Sequence, residues 1–158
     1  MNKSADVFGY QFAAIMAGHL ISAAIAGRLL EVLGIKKLLL IGSSISCIGS
    51  LLFGVIVFFG ITNVYAILIP STIFLVGFAL TIPGMTAGAL SNFQHMAGRA
   101  TSLLGFIQQS TGALVSIYLG YTADGSTAAP MALFLLATSL FGFLAYIILI
   151  PKTILKTN

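Results

Sequence analysis

Four polar residues in succession, Gln108, Gln109, Ser110 and Thr111, stand in the middle of an otherwise apolar run. A carboxamide both donates and accepts hydrogen bonds, so in nonpolar surroundings it either bridges two helices or grips a substrate, and both roles stay open for the Gln pair. Each helical step turns the side chain by about 100°, so the four cannot face one way. Gln108 shares a face with Leu104 and Gly112, and Gln109 with Gly105 and Ala113. Just upstream, His95, Gly98 and Arg99 lie in a short polar connection. His19 interrupts a second apolar run. An ionisable group deep in hydrocarbon is either functional or a neutral imidazole bonded to a Ser hydroxyl or a backbone carbonyl on a neighbouring helix. The carboxylates Asp6, Glu31 and Asp124 all fall at the ends of apolar runs, so no proton relay can be assembled from them. Cys47 has no Cys or His at ligand spacing, which implies neither a metal nor a disulfide. With no paired carboxylates, metal-ligand cluster or matched nucleophile and base, neither an enzyme nor a cofactor is expected.

These residues need elements to hold them, and composition says of what kind. Of 158 residues 59% are hydrophobic and 6% charged, with a mean hydropathy of +1.12. A soluble domain would carry about 25% charged residues, so the chain is read as an integral membrane protein with the lipid bilayer as its first partner. The net charge of +4 rests on only seven Lys and Arg, too few and too scattered for a nucleic-acid surface. About 20 helical residues cross the hydrocarbon, and five apolar runs qualify, over residues 8–30, 38–59, 65–90, 100–121 and 128–150. A β-barrel needs shorter, alternating segments. The expected fold class is therefore all-α, a polytopic transmembrane bundle forming a single membrane domain over 1–158. Basic residues favour the cytoplasmic side: Arg28, Lys36 and Lys37 mark one connection, Arg99 another and Lys152 and Lys156 the tail, whereas the opposite ends carry only Lys3. This places connections 31–37 and 91–99 and the C-terminus in the cytoplasm, and the N-terminus outside.

Local devices point to helix packing. Ala14, Gly18, Ser22 and Ala26 recur every fourth residue, as do Gly42, Ser46, Ser50 and Gly54, giving two faces that let a neighbouring backbone approach closely. Gly34 permits the positive φ of a helix end, and the bases of the 27–37 connection meet the negative pole of the first helix. Pro70 and the Pro83-Gly84 pair remove hydrogen bonds from the third run, where a kink is expected. The fifth run is expected to contribute packing alone.

At Phe93 to Leu114 the residues carry a resemblance. The His95-Met96-Ala97-Gly98 core and the Ser102-Leu103-Leu104-Gly105-Phe106 that follows resemble the stretch joining the tenth and eleventh spans of drug-resistance antiporters of the bicyclomycin and chloramphenicol (Bcr/CflA) type, in the major facilitator superfamily. The Pro83-Gly84-Met85 kink fits the same pattern. Gly27, Arg28, Glu31, Gly34, Lys36 and Lys37 resemble a degenerate copy of that superfamily's G-x-x-x-D-x-x-G-R-K signature, with Glu31 where Asp is usual. Ile15 and Ala26 stand where Asn would be expected in the first span. The resemblance covers nearly the whole chain as the last five of twelve spans. It implies the C-terminal part of a proton-coupled multidrug efflux antiporter of the inner membrane, acting on small amphipathic drug-like substrates. Gln108, Gln109, His19 and Thr111 would then line the path. The carboxylates for proton coupling would lie in the absent spans, so the chain alone is expected not to transport unless an N-terminal half or a second copy completes it. The alternative is a small non-transporting membrane scaffold or remnant.

Overall fold

The computed structural model describes residues 5–61, 63–91, 93–122 and 129–154. The chain forms helix α1 (Ala5–Phe58), α2 (Val64–Leu90), a 3-10 turn (Gln94–Met96), α3 (Ala97–Thr122) and α4 (Ala129–Ile154), with no strand among the described residues. It is an all-α membrane helix bundle. Three stretches are long and apolar enough to cross a bilayer: Ile15–Phe58, Tyr65–Leu90 and Ala129–Ile148. α3 is not among them. Its Gly, Ser, Thr and Gln residues and the Arg99 of its first turn dilute the Leu, Ile and Phe around them.

The 44 residues of Ile15–Phe58 would measure about 66 Å as one straight helix, roughly twice the hydrocarbon thickness. The chain solves this at Gly34, where φ 73° and ψ 166° interrupt the helix. That backbone region is essentially closed to any residue with a Cβ. Contacts to α2 show the consequence. Gly18 faces Thr72 and Ser22 bonds to Val76, a parallel order, whereas Gly42 faces Thr81 and Gly49 faces Phe74, an antiparallel one. The two arms of α1 therefore run in opposite directions along α2, and the expected first and second runs are these arms. The 31–37 connection is reduced to a break of one residue, with helix on either side. At the bend Ala26, Leu38 and Leu80 close a small core, with Leu29, Leu30 and Ile45 against it.

The second arm meets α2 through backbone. A Cβ on Gly49 would stand 2.5 Å from the Phe74 amide nitrogen, and one on Gly42 would stand 2.7 Å from Thr81 Cγ2. A Cβ on Gly77 would collide with Ser46 and with the Gly42 carbonyl. Side-chain hydroxyls reinforce this seam: Ser22 donates to the Val76 carbonyl at 2.9 Å and Ser46 to that of Phe74 at 3.2 Å. Of the two small-residue faces, Ser22, Ala26, Gly42, Ser46 and Ser50 are buried, and Gly18 and Gly54 half-buried. The side chain of Ala14 lies outside the described residues.

α2 starts on an Asn63 cap, whose Oδ1 accepts from the Tyr65 amide at 3.2 Å, and continues as helix through Pro70 and Pro83 to Leu90. α4 lies on the second arm of α1. Ser139 and Ser50 share a hydroxyl hydrogen bond of 2.5 Å, a Cβ on Gly54 would press on Leu136, and Tyr146 Oη donates to the Lys36 carbonyl at 3.1 Å. α3 begins at Ala97, so Gly98 and Arg99 belong to its first turn, and it makes only sparse contact with α2 and α4. Much of the outer surface is apolar, with Leu20, Phe106, Leu114 and Phe141 all more than 60% exposed. A surface of this kind suits lipid and not water.

Candidate functional site

His19 lies on the first arm of α1, between Gly18 and Ser22 of the face that meets α2. It is half-buried, and its Nδ1 is enclosed without a hydrogen-bond partner. Ser22, the hydroxyl one turn away, is committed to Val76 instead. The structural alternative of an imidazole held through Nδ1 by a neighbouring hydroxyl or carbonyl is therefore not what the packing provides. An enclosed polar atom without a partner costs about 1–3 kcal/mol.

Gln108, Gln109 and Thr111 are exposed, and Ser110 is half-buried. Thr111 turns its hydroxyl back onto the Ile107 carbonyl at 2.8 Å, an arrangement that needs no neighbour. Because α3 stands away from the other helices, the amides meet neither His19 nor the cavity between α1, α2 and α4. The four path candidates thus sit on two elements that do not face each other here.

The signature-like residues gather at the bend of α1. Gly27, Arg28, Glu31, Gly34, Lys36 and Lys37 are all exposed, and the bend is tied to α4 through the Lys36 carbonyl. Pro83 is half-buried, and Gly84 is buried with Leu39 at 3.2 Å from where its Cβ would be. Gly84 is thus where α2 approaches the α1 bend. His95, Gly98 and Arg99 are exposed. Arg99 borders a cavity of about 320 Å³ between the end of α2 and the start of α3, whose walls are otherwise apolar.

The best-formed cavity is elsewhere. It is a half-open groove of about 400 Å³ bordered by the second arm of α1, by α2 and by α4. Six hydroxyl-bearing residues border it, Ser43, Ser46, Thr81, Thr138, Ser139 and Tyr146, although the surface facing the space is almost wholly apolar. Phe74 and Phe78 form an aromatic wall, their rings nearly parallel at 5° with centroids 6.4 Å apart. Half of the hydroxyls come from α4, which sequence reasoning assigned to packing alone. The available signal was the Thr138-Ser139 pair at the middle of an apolar helix, a smaller version of the polar cluster in α3. No group of three or more His, Cys, Asp or Glu that could hold a metal occurs among the described residues.

With this geometry in place, comparison with known proteins gives one informative relative. The chain is 36% identical over 78 residues to the multidrug resistance protein D of Escherichia coli K12, a match covering 48% of this chain and 20% of that protein. The chain thus corresponds to about a fifth of the length of the curated relative it matches. No family model matches, and no solved structure matches.

Proposed function

We propose that this chain is the C-terminal part of a multidrug efflux transporter of the major facilitator type, close to the bicyclomycin and chloramphenicol resistance group, working by proton-coupled antiport. The similarity to a multidrug resistance protein over 78 residues carries the reading. An all-α bundle with an apolar outer surface and a tight bend rich in basic residues supports it. Alternating access in such proteins is the rocking of one helical bundle against another around a central site. In this reading the five helical segments form one wall, α3 faces the missing helices, and Gln108, Gln109 and Thr111 enter the path only when those helices are present. His19 joins them from the α1 side. The membrane is the inner membrane, with the α1 bend and the α2–α3 connection cytoplasmic. The substrate is a small amphipathic drug-like molecule. The further partner is an N-terminal half or a second copy, and neither nucleic acid nor catalytic chemistry enters.

The experiment is reconstitution in proteoliposomes with an imposed proton gradient, for the chain alone and together with N-terminal spans of a multidrug transporter. Substrate movement only with the added spans is the expected result. Movement by the chain alone would overturn the requirement for further helices, and no movement in either arrangement would favour a non-transporting membrane scaffold. The close glycine seam between α1 and α2, which needs no other helix to form, is the observation on the side of that second reading.

A further inference from the structure

The half-open groove of about 320 Å³ between the end of α2 and the start of α3 has a cation, Arg99, at its mouth. Leu90 and Phe93 border it on one side and Leu103, Leu104 and Ile107 on the other, and the surface facing the space is almost wholly hydrocarbon. From Arg99 to Ile107 α3 rises about 12 Å, close to the depth of one leaflet of a hydrocarbon core of about 30 Å. A chain of methylenes along the membrane normal suits that length and lining, and a polar ligand does not. Arg99 supplies the second half of the recognition. It lies in the first turn of α3, which has no acidic residue, and it forms no ion pair among the described residues. The helix dipole opposes a cation at this end, so the charge of Arg99 is left unanswered by its own helix. Arg28, Lys36 and Lys37 add positive charge at the α1 bend, which α2 approaches at Gly84, against the single carboxylate of Glu31 there. What complements this end of the bundle is an anion carried on an apolar chain.

We infer that this groove binds one anionic phospholipid, with the phosphate on the Arg99 guanidinium and an acyl chain along Leu103, Leu104 and Ile107. A guanidinium meets a phosphate through two parallel N–H donors, and basic residues beside a membrane helix favour anionic lipid. A zwitterionic lipid of the same chains presents its phosphate with an ammonium tethered beside it, which weakens the attraction. Ile107 lies about 160° round α3 from Gln109, so a lipid in the groove leaves the face of that amide free. The competing occupant is a further helix of the protein, which would exclude the acyl chain. The inference rests on the membrane setting of the chain and not on transport.

The chain contains no tryptophan, so Phe93→Trp places a lone indole fluorophore at the groove. The full chain carrying it is reconstituted in phosphatidylcholine vesicles that contain, at one mole fraction, either phosphatidylglycerol or phosphatidylcholine brominated on its acyl chains, and quenching is measured. Brominated phosphatidylglycerol is expected to occupy the groove about fivefold more readily, the effect of one base near a membrane surface. Arg99→Gln, a change at an exposed position, is expected to abolish the preference, and Arg99→Lys to keep part of it. Phe58→Trp, at the far end of α1, reads bulk lipid and is expected to be quenched alike by both; the same result in combination with Arg99→Gln shows that this variant is still inserted. Inorganic phosphate at matched ionic strength is expected to leave the quenching unchanged, and relief of quenching would make Arg99 a site for a free anion. That result, equal quenching of Phe93→Trp by the two lipids, a preference that survives Arg99→Gln, or no quenching by either lipid, as a groove filled by another helix would give, would each overturn the inference. Quenching is read without a proton gradient or added spans, so the outcome is separable from that of the transport experiment.

Discussion

At Gly34 a single residue decides how 54 residues of helix are used. Its φ of 73° with ψ of 166° admits glycine and little else, so Gly34→Ala is expected to destabilise the chain by about 1–3 kcal/mol in a denaturation titration in detergent. Gly27, seven residues away in the same bend, has open space around its α-carbon and ordinary helical backbone. Gly27→Ala should stay within about 0.5 kcal/mol of the parent. Gly49 acts by proximity instead of torsion. The atom its Cβ would strike is a backbone nitrogen, which cannot rotate away as a flexible side-chain tip can. Gly49→Ala is accordingly expected to cost about 1–3 kcal/mol, with loss of the α1–α2 seam visible as faster proteolysis at the α1 bend. The difference between the three glycines was only partly legible beforehand: the positive φ at Gly34 is a local property of a helix end, whereas the closeness of Gly49 to Phe74 belongs to a partner 25 positions on.

Among the elements, α3 and α4 exchanged the importance that their sequences suggest. α3 carries the most conspicuous polar cluster in the chain, yet Gln108 and Gln109 are exposed and Thr111 bonds back to its own helix. α4 is nearly uniform in composition, yet it places Thr138, Ser139 and Tyr146 around a cavity and ties the α1 bend through Tyr146. Replacing both amides, Gln108→Leu with Gln109→Leu, is expected to leave the unfolding midpoint of the isolated chain unchanged or raised, since no bond to another helix is lost. In an intact transporter built on this chain the same pair is expected to reduce drug resistance at equal expression. Unchanged resistance there would remove the amides from the path. Tyr146→Phe removes the α4 tie to Lys36 and is expected to cost about 0.5–1.5 kcal/mol, read in the same titration.

For the whole molecule, the consequence of the fold-back in α1 is topological. Both arms lie on α2 in opposite senses, so the bend and the end of α2 reach the same side of the bundle, as Gly84 beside Leu39 shows. The excess of Lys and Arg at that end predicts that it faces the cytoplasm. In a Cys47→Ser background, Lys36→Cys and Arg99→Cys are expected to react with a membrane-impermeant maleimide only in inverted vesicles, and Asn63→Cys only in right-side-out cells. Labelling of Lys36→Cys and Arg99→Cys from opposite sides would overturn this arrangement. The outward apolar surface around α3, with Phe106 70% and Leu114 69% exposed, leaves a helix whose natural neighbours are other helices or lipid.

By itself the sequence determined the membrane setting, the helical class, the position of the break at Gly34 and the two small-residue faces of α1, because each follows from composition or from a periodicity read within one segment. Only the tertiary structure decided which hydroxyls converge, that Nδ1 of His19 is enclosed without a partner, and that the amides of α3 stand outside the cavity. Convergence depends on crossing geometry between helices many residues apart, and that geometry is set by backbone contact at Gly42, Gly49 and Gly77. A serine that bonds to its own preceding turn looks the same in sequence whether its remaining lone pairs meet lipid, a second helix or a cavity. The distinction between the prominent cluster at Gln108 to Thr111 and the quieter pair at Thr138 and Ser139 therefore came from the neighbours each helix was given.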